Sequence, residues 1–141
     1  MPPDDRLIYL IFTAQQKLRT HLNKMLLKDN VKVTPAQAGI LFLLKQKDGR
    51  TMTELSRILG IDNSTLTGLT DRLEKAGMVK RSANPGDRRS SHIYITQEGT
   101  EQAEGAKGVI HNVNDRIKEG FSTAEVDAFK AVLGAFTTKF N

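Results

Sequence analysis

The sequence predicts a mostly helical fold carrying one small β-hairpin, and three observations predict it. Apolar residues recur at intervals of three and four through most of the chain, the pattern of helices with one buried face. Repeated helix-start signatures and glycine stops divide those stripes into separate helices. Between residues 78 and 95 the period changes to two, around a cluster of turn formers.

The elements follow in order. From Asp4 or Asp5 to about Lys28, Leu7, Ile11, Ala14, Leu18, Leu22 and Met25 form one stripe, broadened by Ile8, Leu10 and Phe12. Thr34-Pro35-Ala36-Gln37 is a capping box with proline in the first turn. The helix it starts buries Ile40, Leu41, Leu43 and Leu44 and ends near Lys47-Asp48-Gly49. A second box, Thr51-Met52-Thr53-Glu54, starts a helix with Leu55, Ile58 and Leu59 inward and a stop at Gly60. Asp62 or Asn63 caps the next, which runs to about Ala76 and buries Leu66, Leu69, Leu73 and Ala76. Met78–Arg81 and His92–Ile95 read as strands about the turn Asn84-Pro85-Gly86-Asp87. Thr96 caps a helix from about Gln97 to Lys118, with Ala103, Ala106, Ile110, Val113 and Ile117 inward. Gly120 breaks it, and Ser122-Thr123-Ala124-Glu125 starts a last helix lined by Val126, Phe129, Leu133, Phe136 and Phe140.

Composition narrows the function classes. The 141 residues make one domain of ordinary size, and 38% hydrophobic with 26% charged residues suits a folded chain. No apolar run approaches the roughly 18 residues of a membrane span, and Met1–Leu10 lacks the basic start of a secretory signal. A cytoplasmic location and no membrane association are therefore expected. With no cysteine there is neither a disulfide, a thiolate metal site nor a thiol sensor. His21, His92 and His111 stand far apart in sequence, so no metal and no cofactor is expected. There is no glycine-rich phosphate loop and no nucleophile elbow, which argues against an enzyme. The net charge of +5 favours a polyanionic partner.

A helix, a tight turn, a second helix and a basic hairpin, in that order, are the parts of a winged helix-turn-helix, assigned to residues 31–96. Such a module lays one helix in the DNA major groove and the hairpin beside it. At ~100° per residue, the helix starting at Asn63 turns Ser64, Gly68, Asp71 and Lys75 away from its leucines, with Thr67 beside them and Thr65 and Arg72 on the flanks. Asn63, Ser64, Thr65, Thr67, Gly68, Arg72 and Lys75 are the candidate contacts to duplex DNA. Small hydroxyls allow close approach to base edges and phosphates. Asp71 would repel phosphate unless paired, and Arg72, Lys75 or a hairpin arginine is its expected partner. The hairpin carries Lys80, Arg81, Arg88 and Arg89 against Asp87 alone. Arg88 and Arg89 are expected to reach the minor groove, Arg89 above all, with Asp87 orienting an arginine. Residues 1–30 and 97–141 leave surplus apolar surface and are expected to form a helical homodimer interface. A two-fold dimer would set two reading helices roughly 34–36 Å apart on a near-palindromic site. The alternative is a winged-helix module that binds protein and not DNA.

The segments TPAQ, TMTELSRILGIDNSTLTGLTDRLEKAGMVKR, DRR and ITQEG, taken in order, resemble the MarR (multiple antibiotic resistance regulator) family. The resemblance covers essentially the whole chain and is strongest from Thr34 to Gly99. It implies a triangular homodimer joined through helices of both termini, and most often a transcriptional repressor. It also implies release from DNA by a small phenolic or other aromatic acid bound between the dimerisation and DNA-binding regions. Ser64, Thr65, Thr67 and Arg72 match DNA-facing positions, and Asp87 and Arg89 match the wing motif; position 68 varies among relatives between arginine and glycine. The cysteine-based oxidant sensing of some members does not carry over. Phe12, Gln16, Ile40 and Phe42 are named as walls of an effector pocket from expected proximity, with core packing the competing role for the apolar ones.

Overall fold

A computed structural model describes residues 6–84 and 87–140, with backbone alone at 83–84 and 87–90. Among the described residues, six helices and three strands follow in the order α1 (Leu7–Lys28), α2 (Pro35–Gln46), β1 (Arg50–Thr51), α3 (Met52–Leu59), α4 (Asn63–Lys75), β2 (Val79–Asn84), β3 (Asp87–Ile95), α5 (Gln97–Lys118) and α6 (Thr123–Lys139). The chain divides into two compact units, Met1–Val109 and Ile110–Asn141.

Local chemistry sets the helix starts. Thr34 accepts from the Gln37 amide at 3.3 Å while Gln37 Oε1 accepts from the Thr34 amide at 3.0 Å, a complete capping box. Ser122 and Glu125 form the same box at α6. At α3, Thr51 accepts from the Glu54 amide, but the Glu54 carboxylate turns to the Thr51 hydroxyl and lies 3.9 Å from Arg50. Asp62, not Asn63, caps α4. Gly60 ends α3 at φ 67°, a left-handed conformation that favours glycine.

In the first unit the core is built from Leu26, Val31, Val33, Ala38, Ile40, Leu41, Leu44, Leu55, Leu66, Leu73, Met78, Val79 and Ile93, with Ala103, Ala106 and Val109 of α5. Several stripes sit differently from their expected register. Ile58 is 46% exposed, and Leu55 alone of the α3 residues is fully buried. Ala76 is exposed and Leu69 half-buried, while Thr70 is sealed completely. The buried row of α4 is therefore Leu66–Thr70–Leu73, and the Thr70 hydroxyl makes no hydrogen bond among the described residues. On α5, Val109 takes the buried place expected of Ile110, and Ile117 is exposed.

The strands form an antiparallel sheet in the order β1-β3-β2. β1 pairs Arg50 with Ile93 and Thr51 with His92. β2 pairs Val79 with Ile95, Lys80 with Tyr94, Arg81 with Ile93 and Ser82 with His92, after which the register slips between Ser82 and Asn84. Directly opposed residues share a face, so Val79, Arg81, Ile93 and Ile95 lie on one side and Lys80 and Tyr94 on the other. The loop before β1 is stitched to β3. Asp48 accepts from the Ile95 amide at 2.9 Å, His92 Nδ1 lies 2.8 Å from the Gly49 carbonyl, and the Tyr94 ring packs on Gly49. A carbonyl only accepts, so Nδ1 carries the imidazole proton. Arg50 reaches back to α2, donating to the Leu43 carbonyl at 3.0 Å and to Gln46 at 3.3 Å. Among the described residues no helix is long and apolar enough to cross a membrane.

Candidate nucleic-acid interface

The α4 surface is polar where Leu66, Thr70 and Leu73 are not. Asn63, Ser64, Thr65, Thr67, Arg72 and Lys75 are exposed and Gly68 is half-exposed, with open space where its Cβ would stand. The candidate DNA contacts of α4 thus form one continuous face. The hydroxyls are partly committed at home: Ser64 donates to Asp62 at 2.8 Å and Thr67 to the Asn63 carbonyl at 2.7 Å. A hydroxyl whose proton is so used offers lone pairs outward, suited to the exocyclic amines of adenine and cytosine; donating to phosphate requires breaking the internal bond. The Asp62 carboxyl sits below its ordinary range, first because it accepts from the Thr65 amide and then from Ser64. It is fully exposed, so the anion stays solvated at the helix start.

Arg81 departs from the expected role. It turns to α4, pairing with Asp71 and placing Nε 3.7 Å from Glu74. Of the three partners expected for Asp71, the hairpin arginine is the one found. The side chains of Asp87, Arg88 and Arg89 lie outside the described residues, as do Pro85 and Gly86; Asp87, Arg88 and Arg89 belong to β3 by backbone.

The four expected pocket residues stand in different surroundings. Ile40 is wholly buried, a core residue with no surface to offer a ligand. Phe12 is exposed on α1, and Gln16 lines a shallow groove with Lys17, Thr20, His21 and Lys24. Phe42 lines a different cavity of about 290 Å³ with Lys45, Ala103 and Lys107. The lysines of this cavity could not be found from the sequence, since α2 and α5 are brought together only by folding. Lys45 pairs with Glu104 across the same two helices. Between residues 7 and 46 there are six lysines and arginines and one acid, Asp29, so much of the positive excess lies in α1 and α2.

The helix-turn-helix of α3 and α4 with a β2–β3 hairpin beside it defines a winged-helix transcription regulator. The MarR family model matches residues 33–91. The transcriptional repressor MprA of Escherichia coli K12 is 29% identical over 123 residues, 87% of this chain and 70% of that protein. The repressor CouR bound to a 23-mer DNA duplex is 30% identical, with a TM-score of 0.82 over 93% of this chain and 92% of that one. CouR from Rhodococcus jostii RHA1 bound to p-coumaroyl-CoA is 26% identical, with a TM-score of 0.76 over 94% and 92%. The chain belongs to the MarR family of DNA-binding transcriptional regulators. These relatives are regulators rather than enzymes.

Proposed function

We propose that the protein is a homodimeric repressor that reads duplex DNA through α4 and the wing and lets go when a small aromatic anion binds. The observation that carries this is the unbroken polar face of α4, Asn63 to Lys75, backed by a fully apolar or sealed row. The repressor CouR, a relative across nearly the whole chain, has been seen on a DNA duplex. Arg88 and Arg89, steadied by Asp87, supply the minor-groove contacts in this reading. Dimerisation is supported by apolar surface on the lone protomer: Leu7, Ile8, Tyr9, Leu10 and Phe12 of α1 are exposed, as are Phe129, Val132 and Phe140 in the second unit. That exposure is more than scattered surface residues account for, and residues 1–30 and 97–141 are where it stands.

The effector site in this reading is the cleft of Phe42, Lys45, Ala103 and Lys107, which keeps Phe42 of the four residues expected from sequence. A phenyl face, the Lys107 ammonium and a Lys45 ammonium already paired with Glu104 suit an aromatic anion that takes over from that carboxylate. The ligand releases DNA only by binding the released conformation more tightly than the reading one. The test is a gel shift on a duplex selected from a random pool by the protein itself. Tight binding with log K falling by about 0.9 per neutralised phosphate against log salt supports the reading. Arg89→Ala should weaken binding and flatten that slope while the melting temperature holds. A protein that selects no duplex, or stays monomeric at micromolar concentration in sedimentation, overturns it.

A further inference from the structure

We propose that Arg81 is a positioning residue that fixes the wing against the reading helix by spanning Asp71 and Glu74, and that it does not itself touch DNA. This rests on the DNA-binding reading above. Strand alternation comes first. Arg81 is paired with Ile93, so it shares the sheet face of that fully buried residue, while Lys80 and Tyr94 take the other face. A cation at such a position needs a partner within reach. It has two: the Asp71 carboxylate is paired with Nη2, and Glu74 lies 3.7 Å from Nε.

These are the only two acids of α4. Three residues apart, they stand on one side of the helix, and a planar guanidinium can face both at once. One arginine thereby compensates both carboxylates that α4 would otherwise turn toward phosphate. Arg72 and Lys75 of the same helix have no ion pair among the described residues, which leaves their charge for the exposed face. The location on the hairpin matters too. The register of β2 against β3 slips just past Ser82, so Arg81 is the last inner-face residue held by the regular ladder. Past the slip the pairing resumes at Asn84 with Asp87 in a shifted register, so the heading of the hairpin relative to α4 is set where Arg81 grips.

The experiment is a double-mutant cycle on DNA affinity, using the duplex selected by the wild-type protein. Arg81→Gln and Asp71→Asn should each weaken binding about five-fold, the scale of one partly exposed ion pair. The double variant should bind no worse than Arg81→Gln alone, because the two residues act as one unit. All variants should keep the wild-type salt slope, whereas loss of a phosphate contact would reduce it by about 0.9. Arg81→Lys, with charge kept but the fork lost, should recover part of the affinity. If Arg81→Gln proves unfolded by circular dichroism, Asp71→Asn and Arg81→Lys carry the test. The inference is overturned by tighter binding of Asp71→Asn, as expected of a carboxylate that merely repels phosphate, by additive effects in the cycle, or by a reduced salt slope for Arg81→Gln. Wild-type protein that binds no duplex defeats the DNA-binding reading itself, whereas wild-type binding with unaffected variants defeats this inference alone.

Discussion

Gly99 is the third residue of α5, and alanine there should destabilise the protein although alanine is the better helix former. In an open helix the exchange gains roughly 1 kcal/mol. At Gly99 a Cβ would stand 2.2 Å from the Met78 carbonyl oxygen and 2.8 Å from Ile95 Cγ1. The oxygen is backbone and cannot swing aside, so the start of α5 must retreat by close to an ångström. That retreat strains the Thr96 junction, where the Thr96 amide donates to Met78 O at 3.0 Å and its hydroxyl to Gly77 O at 2.6 Å. Overpacking of this kind costs about 1–3 kcal/mol, and a lengthened hydrogen bond adds about 1. After the helix gain, the net loss is about 1–3 kcal/mol, or roughly 3–9 °C in melting temperature for a chain of this size. Gly68 is the control: it is helical too, with nothing near its missing Cβ, so Gly68→Ala should raise stability by up to about 1 kcal/mol. Urea and thermal unfolding at equal protomer concentration measure both. A Gly99→Ala protein as stable as wild type would refute the close-approach argument, and a destabilised Gly68→Ala would refute the premise that α4 is open there.

Three further outcomes are expected. Thr70→Val should stabilise by about 1 kcal/mol in urea denaturation, since it removes a sealed hydroxyl with no partner among the described residues and keeps the shape; a loss of stability would reveal a bond to that oxygen. Arg50→Met should cost about 1–3 kcal/mol by stripping the charged donor from the Leu43 carbonyl and Gln46, with an unchanged unfolding midpoint counting against that clamp. The Asp62 carboxyl is held below its ordinary value of 3.8, so its contribution is present above that value and is lost as pH falls through the depressed folded value. The stability difference between wild type and Asp62→Asn should therefore shrink in acid melts below about pH 4, and a difference constant with pH would contradict the cap.

The helix starts were legible because capping is local chemistry. Thr34 with Gln37 and Ser122 with Glu125 hold the contacts their spacing predicts. Registers within a stripe were less so. Leu69 and Thr70 are neighbours on the helix, and a threonine in the sealed position breaks the rule that picks apolar residues first. β1 was missed, since two residues carry no period and their pairing with His92 and Ile93 spans about forty positions. The polar face of α4 emerged from its periodicity, and charge sign alone named a hairpin arginine among the partners of Asp71. The Phe42 cleft did not emerge, because its walls come from α2 and α5, some sixty residues apart.

The stitching of Asp48 and Gly49 to β3 carries a consequence for how this molecule opens. The Ile95 amide is tied to a side chain forty-seven positions away, so its exchange with solvent reports the loop and not the strand. That loop directly follows α2, whose last turn carries Lys45 and Gln46. Asp48 and His92 with Gly49 join that loop to β3, and Arg50 joins it to α2, so the end of α2 and the root of the hairpin share one set of hydrogen bonds. If the proposed effector site is the Phe42 cleft, a bound ligand should change exchange at Ile95 before any DNA is added, and unchanged exchange would count against that site.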